Sequence, residues 1–204
     1  MSATPLSVVE RMVPAHAPFT LLSPTAASKA HHAMDLIKSR IRDIPDFPRA
    51  GIVFKDLTPL LRDPAALASA IGALIEPFRD DAITAVLGME ARGFVFGALA
   101  AQALGAGFVP LRKPGKLPAA THAVSYELEY GAATLHMHID ALTPTDRVLL
   151  VDDLIATGGT AAASLALARL TGATVCGAAF VVELDFLDGR AKLGDCRVHS
   201  LVHY

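Results

Sequence analysis

Two adjacent carboxylates close an aliphatic run in Val-Leu-Leu-Val-Asp-Asp, residues 148–153. Leu154, Ile155 and then Ala156-Thr157-Gly158-Gly159-Thr160 follow. A continuous aliphatic run suits a strand in the middle of a parallel sheet, which delivers its last side chains to the carboxyl edge where open α/β sheets bind ligands. Unpaired carboxylates in a core are strongly disfavoured, so Asp152 and Asp153 are expected at a rim, meeting solvent, a cation or hydroxyl groups. The glycine-rich stretch behind them exposes successive backbone N–H groups, and a helix starting near Gly159 adds the positive end of its dipole. One short segment thus offers acceptors for vicinal hydroxyls and donors for a phosphate monoester, with the Thr157 and Thr160 hydroxyls as extra donors. A ribose 5-phosphate carries both groups.

A lone Thr-Gly-Gly-Thr would be read as a turn with a glycine cap; the full run is far more specific. Competing phosphate motifs are missing. Gly115-Lys116 has Pro110 where a GxxxxGK[ST] loop needs its first glycine, and no GxGxxG follows a strand. His136 and His138 share one side of a strand, but without a third ligand they read as surface or hydrogen-bonded histidines. Cys176 and Cys196 lack CxxC spacing and read as reduced thiols.

The elements that must position this chemistry alternate between strand and helix. A helix is expected from about Ala30 to Ile44, with Met34, Ile37, Ile41 and Ile44 on one face. A strand-like piece from Gly51 leads into a loop, and Asp63-Pro64 caps a helix that ends near Phe78. Strands are expected at 82–88, in GFVPLR, in the alternating AATLHMHID, in RVLLVDD and in ATVCGAAFVVEL, with helices in ARGFVFGALAAQALG and TAAASLALARLTG. The stretch from Lys113 to about Tyr130 is polar and proline-bearing and reads as a long irregular, functional segment. This order argues for an α/β fold with a central, mainly parallel sheet flanked by helices. Residues 1–29 are rich in Pro, Ala, Ser and Thr and are expected to be a disordered extension, leaving 30–204 as one domain.

Of the 204 residues, 52% are apolar and 19% charged, with a net charge of -2. That supports a sizeable core and argues against a general nucleic-acid binder. No stretch is expected to span a membrane and no signal peptide is convincing, so a cytoplasmic protein is expected.

VLLVDDLIATGGT resembles the signature of the type I phosphoribosyltransferases for phosphoribosyl pyrophosphate (PRPP). IPDFPRAGIVFKDLTPLLRDP, GMEARGFVFG, RKPGKLP, SYELEYG and HIDAL resemble the adenine phosphoribosyltransferases, in the right order, over roughly residues 33 to 204. The resemblance implies the type I phosphoribosyltransferase fold with a flexible hood loop, and transfer of phosphoribose from PRPP to adenine in a homodimer. It implies that Ala156, Thr157, Gly158, Gly159 and Thr160 hold the 5-phosphate, and that Asp152 and Asp153 hold the ribose hydroxyls. Glu90, Ala91, Arg92, Arg112, Lys113 and Lys116 would serve pyrophosphate, with a non-proline cis peptide at Glu90-Ala91 and Arg112 reaching toward a partner's site. Glu129 and Tyr130 of the hood would act near the purine, Glu129 on its proton. The backbone at Val53 and Lys55 would read adenine, with Phe54 packed on the ring. Mg²⁺ would be held mainly by substrate and water, with no cage of protein ligands. His136 stands where many members of that family carry an acidic residue.

Two rivals remain at this level. A phosphoribosyltransferase for xanthine, hypoxanthine or orotate would differ at residues 51–56. A purine regulator that senses PRPP would bring an N-terminal DNA-binding domain and a basic face, and the negative net charge counts against it.

Overall fold

A computed structural model describes residues 26–127 and 131–204, with side chains from residue 33 onward. The extension expected over 1–29 lies largely outside these residues. The chain runs α1 (Ala26–Ser39), β1 (Arg42–Pro45), β2 (Val53–Asp56), α2 (Thr58–Arg62), α3 (Pro64–Ile75), β3 (Ala85–Met89), α4 (Gly93–Leu104), β4 (Gly107–Leu111) and β5 (Thr121–Glu127). It continues through β6 (Ala132–His138), β7 (Arg147–Ile155), α5 (Gly159–Leu170), β8 (Thr174–Glu183) and β9 (Val198–His203).

Five parallel strands form the central sheet in the order β4-β3-β7-β8-β9. β7 is its middle strand, which is why its sequence is aliphatic without a break: Val148 to Val151 are all 0% exposed. Alternate β7 side chains serve two cores. Leu149 and Val151 pack with Ile37, Leu74 and Phe96 from α1, α3 and α4, while Val148 and Leu150 pack with Leu165 and Leu167 of α5 and Met137 of β6. Helices therefore cover both faces, and β7 emerges at its carboxyl end with the acidic pair. Among the described residues no helix is long and apolar enough to cross a membrane.

Several boundaries differ from the sequence reading. α1 stops at Ser39, where the Ser39 hydroxyl donates to the Leu36 carbonyl (2.8 Å). Ile44 instead lies in β1, paired antiparallel with Phe54 of β2, because an extended β-branched residue gains a cross-strand aromatic partner there. Residues 58–62 form the short α2 rather than a loop. α3 ends at Ile75, and a 3₁₀ turn carries the chain to Phe78. The Asp63 cap is as expected, accepting from the Ala65 and Ala66 N–H groups at 3.1 Å each. The supposedly irregular stretch contains β5, which pairs antiparallel with β6. Its period-two pattern was obscured by the polar residues on its outer side. β9 was not anticipated at all; it adds the last parallel strand beside β8.

α4 lies close on β3 through glycines. The Phe108 ring fills the space over Gly88 and Gly97, and a Cβ on Gly97 would come within 2.9 Å of that ring and 3.2 Å of the Gly88 Cα. This approach sets the N-terminus of α4, and with it Arg92, beside the end of β7. Gly97→Val is expected to cost about 1–3 kcal/mol by overpacking, read as a lowered midpoint in urea denaturation followed by circular dichroism.

Candidate active site

β7 ends in Asp152, Asp153, Leu154 and Ile155, and the chain turns through Ala156 to Gly158 into α5. Gly158 adopts φ 75°, a left-handed conformation that a side chain would strain. A glycine cap supplies no side-chain acceptor, so the first N–H groups of α5 are left for an anion. A cavity of about 100 Å³ lies here, lined by Asp152 and the run 154–161. The loop is braced from behind. A Cβ on Gly158 would overlap the Gly189 carbonyl, and one on Gly189 would overlap the Ala156 carbonyl. Arg190 holds that neighbour in place, donating to both carboxylate oxygens of buried Glu183 at 3.0 and 2.6 Å. The arginine bond keeps the Glu183 carboxyl below the usual range.

The acidic pair is electrostatically loaded. Asp152 Oδ1 accepts from the Asp153 N–H (2.8 Å), and Gly93 leaves room for it: a Cβ there would sit 2.6 Å from that oxygen. Asp152 keeps some exposure through the cavity it lines, yet burial, and then the Asp153 charge, push its carboxyl well above the usual range. Asp153 is 4% exposed and also raised, because burial outweighs the pull of Arg92. Arg92 Nε lies 2.9 Å from Asp153 Oδ2, close enough for an ion pair but without hydrogen-bond alignment. That oxygen therefore retains the capacity to accept from a hydroxyl.

The basic groups come from two loops. Arg92 follows the Glu90-Ala91 peptide, which is cis as the sequence reading expected. Glu90 gathers the second loop: its carboxylate accepts from the Lys113 N–H (2.9 Å) and from Arg112 Nε (3.2 Å). These bonds, the Lys113 N–H foremost, hold its carboxyl below the ordinary value. Arg112 is thus engaged within its own chain, also contacting the Lys116 carbonyl (3.4 Å) and stacking over Phe94. Lys113 and Lys116 are exposed beyond it.

Val53 and Lys55 line a cavity of about 480 Å³ with Arg49, Thr157 and Tyr204. Phe54 is not in that lining; the Arg92 guanidinium lies 5.1 Å from its ring centroid and Phe47 at 5.2 Å. Lys55 pairs with Asp43 (2.7 Å) and sits 3.7 Å from the Tyr204 ring centroid. Leu184, Phe186 and Leu187 complete the wall and were missed in the sequence. An apolar cluster just past a strand end is their only signal in the sequence, and in the structure Phe186 is 74% exposed. Thr157 belongs to both cavities and joins them.

Glu129 and Tyr130 lie outside the described residues. His136 Nδ1 shares a hydrogen bond with the Thr121 hydroxyl (2.9 Å), as befits a structural histidine. A larger, open cavity of about 770 Å³ is lined by Arg40, Arg42, Arg62 and neighbours. It has no glycine loop or acidic pair, so chemistry rather than size identifies the site. Among the described residues, Glu183, Asp185 and His203 alone bring three potential metal donors together, and Arg190 already occupies Glu183.

A family model described as the phosphoribosyl transferase domain matches residues 57–195. The chain is 62% identical to an adenine phosphoribosyltransferase of Methylococcus capsulatus over 171 residues, covering 84% of this chain and 100% of that one. The crystal structure of the Rhodothermus marinus adenine phosphoribosyltransferase superposes with a TM-score of 0.82 at 51% identity, covering 85% of this chain and 99% of that one. The Saccharomyces cerevisiae enzyme, solved with adenine and an imino-altritol bisphosphate, gives 0.80 at 40% identity, covering 84% and 99%.

The raised carboxyls carry a signed consequence. A carboxyl whose folded pKa lies above its unfolded value of about 3.9 favours the fold fully below that value and loses this contribution as pH rises through the folded pKa. Asp152→Asn, which keeps the shape and removes the charge, is expected to raise the unliganded Tm at pH 8 by a few degrees, the shift that about 1 kcal/mol makes in a chain of this size. The gain should shrink toward pH 4. Thermal melts across that range, without ligand, check both points.

Proposed function

The chain belongs to the adenine phosphoribosyltransferases, a branch of the phosphoribosyltransferase family, and from that premise we propose the reaction it performs. It transfers the 5-phosphoribosyl group of PRPP to adenine, giving AMP and pyrophosphate. One observation carries this most directly: the anion cavity and the base cavity share Thr157, beside the acidic pair. A nucleotide has this order of parts, with phosphate at one end, purine at the other and ribose between.

Each group then has a task. The N–H groups at the start of α5 hold the 5-phosphate. Asp152 and Asp153 accept from the ribose hydroxyls and favour the positive charge that develops on the sugar as the bond to pyrophosphate breaks. Arg92 and Lys113 steady the departing diphosphate, and Glu90 keeps the second loop beside the first. Arg112 is held by the same anchor within its own chain, and reaching a partner's site in a homodimer would require it to leave Glu90. Glu129 would help manage the purine proton and Tyr130 would act near the reacting groups, in a hood that excludes water.

Among the described residues β2 has a strand partner on one side only, which leaves its other edge available to read a base. Adenine offers an amino donor beside an acceptor nitrogen; a 6-oxopurine inverts that pattern and would leave buried groups unpaired. Two carboxylates, one with an oxygen free to accept, are too few to cage a metal. A hydrated Mg²⁺ would be held chiefly by substrate oxygens and water, and Asp152 and Asp153 are the residues that would accept from its water shell. When bound, the ion supplies charge neutralisation for the leaving diphosphate. The two free cysteines suit a cytoplasmic enzyme.

A competition among adenine, hypoxanthine, guanine, xanthine and orotate, with PRPP and Mg²⁺, is expected to yield AMP and pyrophosphate alone. Another nucleotide would overturn the base assignment, and no product despite PRPP binding would favour a sensor. Arg92→Gln is expected to lower kcat by roughly a hundredfold, the cost of one donor to a charge that develops in the transition state, measured by steady-state kinetics.

A further inference from the structure

Tyr126 belongs to none of the groups assigned above. It lies near the end of β5, and its phenol oxygen is 3.0 Å from the Thr160 hydroxyl on the first turn of α5. Its ring also lies along the glycine loop: a Cβ on Gly159 would meet Tyr126 Cδ2 at 3.0 Å. The glycine there gives the ring its seat. Thr160 lines the anion cavity, so its hydroxyl stands between the tyrosine and whatever fills the loop.

A hydroxyl has one proton to give and two lone pairs to receive. Two directions are therefore open to the pair. If Thr160 donates to Tyr126, its proton is lost to the cavity. If Tyr126 donates to Thr160, the Thr160 proton is freed for an anion, and the two bonds polarise one another along the chain Tyr126, Thr160, anion. A phosphate dianion accepts but cannot donate, so it selects the second direction.

We propose that Tyr126 is a positioning residue for the 5-phosphate: its hydroxyl donates to Thr160 and thereby aims the Thr160 proton into the phosphate loop. The same bond ties an occupied loop to β5. The inference rests on the phosphate reading of residues 156–160 and concerns a side chain outside that loop.

The test is a double-mutant cycle read on binding as well as turnover. AMP and adenosine share base and sugar and differ in the phosphate, so titration calorimetry with each isolates the relay. Tyr126→Phe is expected to weaken AMP binding and raise KM for PRPP about fivefold, the size of one ordinary hydrogen bond. Adenosine binding and KM for adenine should stay unchanged. On a Thr160→Val background Tyr126→Phe should cost nothing further, whereas on Thr160→Ser, which keeps the hydroxyl, it should again cost about fivefold. Equal losses for AMP and adenosine would reduce Tyr126 to packing and overturn the proposal. So would unchanged AMP binding in Tyr126→Phe, or additive losses with Thr160→Val. Failure of the broader reading looks different: the wild-type protein itself would make no AMP from adenine and PRPP.

Discussion

The pair of carboxylates at the end of β7 is held in a place that disfavours its charge, and much of the site is arranged around that cost. Protein surrounds Asp152 and Asp153 closely enough to push both carboxyls up. Arg92, just before α4, offsets part of this at 2.9 Å from Asp153. Gly93, next in sequence, supplies the room that Asp152 needs. An uncharged strand end would be more stable and would have nothing to offer a cationic sugar. The site is a place where stability is given up for electrostatic preparation of the transition state.

The opposite field lies one turn away. α5 begins at Gly159 behind the Gly158 cap and presents N–H groups with no side-chain cap, so the chain passes from an acceptor pair to a donor cradle within a few residues. Neither is held by its own segment alone. The cradle rests on Gly189, which is fixed by the Arg190–Glu183 pair on β8. The basic loops are joined through Glu90, an acidic residue among cations whose carboxylate orders its neighbours. Single anchors of this kind let exposed loops keep a defined shape without a core of their own.

The base cavity shows how a surface is assembled from distant sequence. Strand β2 contributes Val53 and Lys55, the segment after β8 contributes Leu184, Phe186 and Leu187, and the chain's last residue, Tyr204, closes one side. Between Val53 and Lys55, Phe54 lies beside Arg92, which pairs with Asp153, so one short motif borders both the base cavity and the acidic pair. A two-stranded unit can do this because, among the described residues, the outer edge of β2 remains available.

The sequence by itself determined the features that depend on local order. The unbroken aliphatic run of 148–151 announced a central strand, Asp63-Pro64 announced a capped helix, and Gly158-Gly159 announced a bare-backbone turn. Each is a consequence of side-chain periodicity or backbone freedom that neighbouring residues settle among themselves. The family motifs extended this to the placement of Arg92 and the cis peptide. What only the tertiary structure decided are contacts between residues far apart in the chain: Gly189 against Gly158, Tyr126 on Thr160, Tyr204 beside Lys55, and Glu90 holding Lys113. It also decided β1 and β9, since a short strand is stabilised by its partner's backbone and Ile44 has no local reason to prefer extension over helix. Long-range pairing is paid for by loop closure and rewarded only when the whole sheet and both cores are in place, so no window of sequence contains it.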